Sequence, residues 1–332
     1  MNSLKRTAIA AVLLLAMLAA ARGDTQIATP DTIPEPYEKI LGRWNVTVYN
    51  PRGVYPNWFE LQWRNGDLTG RFSGSGGATR IIDYLRFDGR TLIFSVPPQY
   101  ERRVDDLLFI GELESDRIEG KTSNDRGELV RFRALRAPEL PYTGEPEWGE
   151  PKDLLSAPDL SNWLPKRAGR PFGWTLSDGV LSNVPPSVDL VTREKFNDFK
   201  LHLEFRMPPG QPSNSGVYLR GRYEIQISDY RAAEPHPKSC GGVYGFIAPG
   251  KWMVKPRGEW NTYDIVLVGR TITVIFNGEK IIDHQEIPGI TTGAINSREA
   301  EPGPLLLQGD HGHIEFRNIR ISRPEGEGAI FY

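Results

Sequence analysis

The segment from residue 214 to residue 229 alternates apolar and polar side chains with a period of two. Its apolar members are Val217, Leu219, Ile225 and Ile227, and its polar members are Tyr218, Arg220, Glu224 and Gln226. Successive side chains of a strand point to opposite faces, so this pattern predicts two antiparallel strands with one apolar and one polar face. A three-residue turn over residues 221–223, with Gly221 or a neighbour at positive φ, places Arg220 opposite Glu224 and Tyr218 opposite Gln226.

This predicted polar face combines a guanidinium, a carboxylate, an amide and a phenol. Mixed hydrogen-bond donors and acceptors of this kind suit a hydroxyl-rich ligand such as a sugar. An ordinary solvated sheet face with an Arg–Glu cross-strand pair explains the same residues. From this stretch alone the two interpretations stay open.

The N-terminus has the pattern of a secretory signal. Lys5 and Arg6 precede an apolar run over residues 8–21, and Ala21-Arg22-Gly23 forms a small-x-small cleavage motif. We therefore expect a signal peptide over 1–23, a flexible leader over 24–36, and an exported protein of the periplasm or the extracellular space. The apolar run is shorter than a membrane span, although an uncleaved N-terminal anchor is the alternative.

Charge and cysteine content exclude other classes of protein. Removing residues 1–23 removes three basic residues and no acid, so the formal net charge of −2 becomes about −5, which argues against a nucleic-acid partner. Cys240 is the single cysteine, so the exported chain depends on its hydrophobic core and not on disulfides. The sequence gives no indication of the oligomeric state.

Short alternating runs on either side of a proline-rich stretch predict an all-β protein of two domains. Residues 138–151 contain four prolines and mark the linker. The N-terminal block, 37–137, reads as a β-meander or lipocalin-like barrel that docks on its neighbour or binds a ligand. The second block, 152–322, has longer strands, including one expected over 242–247, and predicts two stacked antiparallel sheets followed by a tail over 323–332.

The second block also carries an ordered set of motifs. They are Phe172-Gly173-Trp174, Asp178-Gly179-Val180-Leu181, 192–199, Asn214-Ser215-Gly216-Val217-Tyr218, Tyr223-Glu224-Ile225-Gln226, Gly242-Val243-Tyr244-Gly245, Glu259-Trp260-Asn261, Asn277-Gly278, and 307–319. With these motifs, residues 150–322 resemble the 3-keto-disaccharide hydrolase domain family. The resemblance implies a concanavalin A-like jelly-roll β-sandwich and a saccharide substrate.

The spacing Glu224-x-Gln226-x-x-Asp229 is also similar to the Glu-x-Asp-x-x-Glu strand of laminarinase-like jelly-roll glycosidases, where the two glutamates act as nucleophile and acid. Gln226 cannot titrate and Asp229 is one methylene shorter. The departure puts a double displacement at two glutamates in doubt.

The resemblance implies cleavage of 3-keto glycosides, in which the ketone acidifies the C2 proton. A base removes this proton, the leaving group departs from C1, and water adds back; direct hydrolysis is the other route. We predict His311 as the base, since imidazole titrates near neutrality and the segment 308–312 is flanked by glycine. Glu224 is the alternative base, Arg220 beside it the enolate stabiliser, and Asp229 a proton donor.

Further residues suit substrate binding or proton donation. They are Asn214, Gln226 and Gln308 for hydroxyl groups, Tyr244 as a weaker proton donor, and Tyr218, Trp252 and Trp260 for stacking on sugar faces. No redox cofactor is required, and a divalent metal held by Glu224, Asp310 and His311 is conceivable but has no supporting ligand spacing. The alternative function is a carbohydrate-binding or surface-interaction module without turnover.

Overall fold

The computed structural model describes residues 32–101, 103–210 and 213–331, and their regular secondary structure is almost entirely β-strand. One short helix, α1 (Glu35–Glu38), precedes the first strand. The predicted signal peptide lies outside the described residues, as does most of the predicted leader. No helix within the described part of the chain is long and apolar enough to cross a membrane.

The first part of the chain forms one antiparallel sheet of nine strands. The strands are β1 (Gly42–Asn50), β2 (Gly53–Arg64), β3 (Asp67–Ser73), β4 (Arg80–Ile81), β5 (Tyr84–Phe87), β6 (Thr91–Val96), β7 (Leu107–Glu114), β8 (Arg117–Ser123) and β9 (Leu129–Arg136). Their order is β4-β3-β2-β1-β9-β8-β7-β6-β5, and β3 also contacts β5, so the meander curls on itself. Its concave side holds an aromatic core in which Phe94 and Phe109 stack at 4.6 Å.

The second part forms a sandwich of two sheets. Its strands are β10 (Lys152–Asp153), β11 (Trp163–Pro165), β12 (Trp174–Ser177), β13 (Val180–Asn183), β14 (Leu190–Phe196), β15 (Phe199–Arg206), β16 (Asn214–Leu219), β17 (Tyr223–Ser228), β18 (Asn261–Val268), β19 (Thr271–Phe276), β20 (Glu279–Glu286), β21 (Gly303–Leu307), β22 (Ile314–Ser322) and β23 (Ile330–Phe331). The larger sheet runs β12-β13-β22-β15-β18-β19-β20 with β10 beside β22. The smaller runs β11-β14-β21-β16-β17 with β23 beside β14.

The main core of the molecule lies between these two sheets. Val217, Leu219 and Ile225 of the smaller sheet pack there with Phe205 and Tyr263 of the larger sheet. The apolar face predicted for the segment 214–229 is therefore the core face, and the jelly-roll architecture is confirmed. The segment between β9 and β10 contains only an isolated bridge between Trp148 and Pro324, and the domain limits drawn from the sequence stay predictions.

The hairpin β16–β17 has a three-residue turn, but its register differs from the prediction by two residues. Leu219 pairs with Tyr223 and Tyr218 with Glu224, so the turn consists of residues 220–222, with Arg220 at φ 51° and Gly221 at φ 64°. The reason is the Tyr223 ring, which is fully buried and belongs to the core face with Leu219. The predicted pairing of Arg220 with Glu224 is therefore wrong.

Residues 242–247 form a turn and not the strand that was expected. Val243 makes isolated bridges to Ile225 and Ile247, and Tyr244 N donates to Glu224 O at 2.9 Å. Three glycines within five residues, at 241, 242 and 245, favour a turn over an extended strand, because glycine weakens a strand interior. This turn places Tyr244 next to β17.

Candidate active site

The even-numbered side chains of β16 and β17 form the floor of a cleft. Tyr218, Glu224 and Gln226 are each at most 6% exposed. Tyr218 lies opposite Glu224 in the ladder, and its hydroxyl donates to Glu224 Oε2 at 2.8 Å. Gly216 leaves room for the carboxylate, because a Cβ there would collide with Glu224 Oε1. Glu224 Oε1 itself receives no hydrogen bond from the described residues.

The loop that follows β21 brings Gln308, Asp310 and His311 to the same cleft. Ser215 Oγ donates to Gln308 O at 2.8 Å, and Gln308 Nε2 reaches Tyr218 Oη at 3.4 Å. Asn183 Nδ2 holds the loop by donating to Gly309 O at 2.8 Å and to Gly312 O at 3.1 Å. The loop is thus fixed on both sides of its charged pair.

Asp310 and His311 form a hydrogen-bonded pair through His311 Nδ1 and a carboxylate oxygen of Asp310. Since the carboxylate accepts from Nδ1–H, the pairing favours the tautomer in which Nε2 can exchange protons with a ligand. The His311 side chain is 49% exposed, and it lines the cleft together with Glu224. Glu224 and His311 therefore present two titratable groups to the same space.

A second ion pair completes the sandwich side of the cleft. Lys166 Nζ donates to Asp189 Oδ2 at 2.9 Å and to Gly293 O at 3.1 Å. Asp189 Oδ1 in turn accepts from Gly309 N at 3.1 Å, so this carboxylate supports the His311 loop. Arg167 also lines the cleft, and it is exposed.

The opposite wall of the cleft comes from the first sheet. Ser75, Gly76 and Gly77 follow β3, and Tyr100 lies between β6 and β7. The enclosed volume is about 590 Å³, which falls in the usual range for small-molecule sites. The cleft is thus a junction between the two parts of the chain and not an open sheet face.

Burial and neighbouring charges shift the two central titratable groups. Desolvation raises the pKa of Glu224 to about 8, although the Tyr218 hydrogen bond and the charge of His311 oppose the rise. The hydrogen bond and charge of Asp310 raise the pKa of His311, and Glu224 adds to this effect. A carboxyl group with a pKa near neutrality beside a stabilised imidazolium is an arrangement suited to proton transfer.

The phenols of Tyr218 and Tyr244 stay neutral. Burial, followed by the charge of Glu224, raises the pKa of Tyr218 well above its ordinary value and that of Tyr244 to about 12. Both hydroxyl groups can therefore donate hydrogen bonds at neutral pH. Tyr218 uses its proton on Glu224, and the described residues supply no hydrogen-bond partner for the Tyr244 hydroxyl.

The structure brings together most of the residues proposed from the sequence. Those that line the cleft are His311, Glu224, Asn214, Tyr218, Gln226, Tyr244 and Gln308. Asn214 stands at the start of β16, at the end of the cleft next to the His311 loop, where Gly312 packs on its backbone. The catalytic and binding roles of these residues stay predictions.

Four proposed residues lie elsewhere. Arg220 is buried in the turn, where its guanidinium donates to Glu299 O, to Gly269 O at 3.4 Å and to Tyr223 Oη at 3.4 Å. Asp229 lies beyond the end of β17 and pairs with Arg257. Arg220 departs from the strand alternation at the turn, where its φ is 51°, and Asp229 follows Ser228, the last paired residue of the ladder.

The two proposed stacking tryptophans also lie outside the cleft lining. Trp260 is sandwiched between the guanidinium groups of Arg206 and Arg317, at 4.6 and 4.1 Å from the ring centroid. Those arginines belong to β15 and β22 of the larger sheet. Trp252 lies in the 248–258 loop and does not line the cleft.

Sequence reasoning missed Lys166, Arg167, Asp189, and the wall from the first sheet. Asp189 carries a recognisable signal, because it is a lone acid in the otherwise apolar run Val188-Asp189-Leu190-Val191. The contribution of Tyr100 has no such signal, since nothing in the sequence connects that loop to residues more than a hundred positions away.

The described residues contain no group of three or more His, Cys, Asp or Glu side chains arranged to hold a metal ion. Glu224, Asp310 and His311 all line the cleft, yet His311 Nδ1 is engaged by Asp310.

Comparison with known proteins gives a family for the second part of the chain. A family model described as 3-keto-alpha-glucoside-1,2-lyase-like domain matches residues 150–322. Among solved structures, two candidate glycosyl hydrolases from Parabacteroides distasonis are similar, each at 28% identity. The match to the first covers 55% of this chain and 92% of that structure's chain, with a TM-score of 0.46. The match to the second covers 53% of this chain and 100% of that structure's chain, with a TM-score of 0.43. No curated protein matches the chain.

Proposed function

Because the chain belongs, over residues 150–322, to the family of 3-keto-alpha-glucoside-1,2-lyase-like domains, we propose that its cleft cleaves 3-keto glycosides. Family membership makes the chain a relative of carbohydrate-active enzymes, and the reaction at C3-oxidised sugars is the finer proposal. The observation that carries it is the convergence of Glu224, Tyr218 and His311 on one cavity of sugar size.

The chemistry begins with removal of the C2 proton of the substrate. Glu224 is the base of this proposal, because its pKa of about 8 makes its carboxylate a stronger base than an exposed glutamate. Its free Oε1 is the proton acceptor, and Tyr218 fixes Oε2. The C2–H electron pair then forms the enolate, whose negative charge lies on the C3 oxygen.

His311 acts on the oxygen atoms of the substrate. Asp310 keeps the imidazolium protonated, as the raised pKa of His311 indicates. The imidazolium can donate its Nε2 proton to the leaving oxygen at C1 as the enolate collapses to the C1–C2 alkene. Addition of water across this bond returns the proton to C2 and gives the free 3-keto sugar. In this proposal Glu224 takes the role of base that the sequence analysis predicted for His311, and His311 becomes the proton donor to the leaving oxygen.

The remaining polar groups suit substrate orientation. Gln226, Gln308 and Asn214 line the cavity with amide groups that donate to and accept from hydroxyls. Gln308 Oε1 is buried and has no hydrogen-bond partner among the described residues, so a substrate hydroxyl would satisfy it. Tyr244 lines the same cavity as Glu224 and offers a neutral phenol there.

The test is turnover of a 3-keto disaccharide in D₂O, beside its unoxidised parent sugar. We expect cleavage of the keto sugar alone, with deuterium incorporated at C2 of the released 3-keto sugar. Cleavage without deuterium at C2 would indicate direct hydrolysis, and equal cleavage of the parent sugar would indicate an ordinary glycosidase. Saturable binding with no product would establish the carbohydrate-binding alternative.

A further inference from the structure

The family match begins at residue 150, yet the cleft is lined by residues from before that point. Ser75, Gly76 and Gly77 come from the loop after β3, and Tyr100 comes from the loop between β6 and β7. A jelly roll alone would leave the floor formed by Tyr218 and Glu224 open on this side. The first sheet therefore determines how much of a ligand the cleft can enclose.

Tyr100 is an exposed ring on a fixed backbone. Its side chain is 70% exposed. Tyr100 N donates to Glu101 Oε2 at 3.0 Å, and Gln99 N donates to the same oxygen at 2.6 Å. Glu101 is in turn held by a buried ion pair with Arg80. This clamp orders the main chain beneath the ring without covering the ring.

The two loops of the first sheet are joined to each other. Ala78 N donates to the side-chain oxygen of Gln99 at 2.8 Å. A Cβ at Gly77 would collide with that same side chain, so the loop approaches Gln99 as closely as glycine allows. The glycine wall and the Tyr100 loop thus form one unit.

This unit is also docked on the sandwich next to the catalytic floor. Trp58 packs edge-on against Phe246 at 5.2 Å, and Arg71 lies 5.5 Å from both rings. Gly245, beside Tyr244, is in close contact with the Thr79 backbone. Tyr100 and Tyr244 line the same cavity.

We propose that the first-sheet wall is a subsite for the second ring of a disaccharide-sized substrate, with Tyr100 as its stacking surface. The proposal rests on the proposed function, since the reacting ring must lie over Glu224. An aromatic face with a polar edge suits a sugar ring, and the Ser75 hydroxyl supplies a hydrogen-bond partner. Arg167 lines the same cavity and has no ion pair or hydrogen bond within the described residues, so its guanidinium is available to ring hydroxyls.

The proposed subsite predicts that the effect of a substitution in it depends on the size of the substrate. We compare a 3-keto disaccharide with the methyl 3-keto glycoside, which has the reacting ring but no second ring. For Tyr100→Ala we expect KM for the disaccharide to rise about tenfold, with kcat nearly unchanged and the methyl glycoside unaffected. Tyr100→Phe keeps the ring and should behave as the parent protein. Tyr49→Ala, at an exposed tyrosine of the same sheet outside the cleft, is the matched control.

The outcomes separate the subsite from the chemistry. An active parent protein whose Tyr100→Ala variant treats both substrates as the parent does would overturn the subsite and leave the proposed function intact. Equal losses on both substrates would also overturn it, because the effect would then concern the reacting ring or the fold. A parent protein that neither binds nor converts either glycoside would overturn the proposed function and the subsite together.

Discussion

The hairpin β16–β17 carries two buried polar groupings that differ in how their hydrogen-bonding capacity is used. In the cleft, Glu224 receives one hydrogen bond, from Tyr218, and its other oxygen is left for the cavity. At the turn, Glu299 accepts from Tyr223 Oη at 2.7 Å and Asn45 Nδ2 at 2.9 Å, with Arg270 within 3.5 Å. Burial of an acid is common to both sites, whereas an unused acceptor facing a cavity occurs in the first alone.

The turn grouping joins the two parts of the chain. Asn45 belongs to β1 and Arg270 to the turn between β18 and β19, and Glu299 bridges them. Arg222 is buried beside it and donates to Asn296 Oδ1 at 3.0 Å, and desolvation lowers its pKa to about 10. Arg220 belongs to this structural grouping, which is why it is absent from the cleft.

The largest expected effect comes from Glu224→Gln. The amide keeps the shape of the side chain but cannot accept a proton, so kcat/KM for the 3-keto disaccharide should fall by a factor of about 10² to 10⁴. The folded state should be at least as stable as the parent protein, because a buried ionisable group has been removed. Glu299→Gln is the matched control at a buried carboxylate, and it should retain turnover per folded molecule. Full activity in Glu224→Gln would contradict the role of this residue as base.

Removal of the Glu299 carboxylate should reduce stability rather than turnover. Glu299→Ala leaves Arg270 without its buried partner, and we expect a loss of about 3–5 kcal/mol in the free energy of unfolding, measured by denaturant titration. The exposed Glu301, which pairs at the surface with Arg298, is the control, since its replacement by alanine should change stability little. A Glu299→Ala protein as stable as the parent would show that the interactions of Glu299 make no net contribution to the free energy of unfolding.

A smaller effect is expected from Tyr218→Phe, which removes the hydrogen bond to Glu224. That bond lowers the pKa of Glu224 against the larger effect of burial, so its loss should raise the pKa above about 8. If the Glu224 carboxylate is the base, kcat/KM rises with pH through this pKa, and the rising limb should move to higher pH in the variant. The measurement is a pH profile of kcat/KM for both proteins. A limb that moves to lower pH would contradict the assigned base.

Sequence periodicity predicted the hairpin, because strand geometry fixes which side chains share a face. Tyr218, Glu224 and Gln226 are on one face in either register, so an error of two residues left this part of the site intact. The same error gave a wrong position for the Arg220 side chain, since a residue at the turn with positive φ no longer follows the alternation. The local pattern therefore identified the residues on the floor of the cleft. It did not show whether the residues at the ends of the two strands also belong to the cleft.

Contacts between distant segments were beyond the reach of periodicity. The presence of Tyr100 and Tyr244 in one cavity depends on how the first sheet docks, through Trp58 and Phe246. Trp260 illustrates the reverse case, because an aromatic residue with the composition of a sugar platform is covered by two arginines on the other sheet. Residue type alone does not distinguish an aromatic residue of the cleft from one covered elsewhere, and only the packing of the sheets does.

The smallest expected effect concerns stability and pH, and it distinguishes the two carboxylates without any substrate. The pKa of Glu224 rises from 4.5 to about 8 on folding, so the folded state holds a proton that the unfolded state has released between these values. The free energy of unfolding therefore declines as pH rises from about 4.5 to about 8, and it levels off above. Glu224→Gln lacks this decline. The melting temperature of the variant relative to the parent should increase with pH by a few degrees and then become constant.

The pKa of His311 is also raised, so its contribution to the free energy of unfolding also declines as pH rises. Because His311 is present in both proteins, the difference between them reports Glu224 and the effect of its charge on His311. A difference that is independent of pH would mean that Glu224 titrates as an exposed acid, and its assignment as a base active near neutral pH would lose its physical ground.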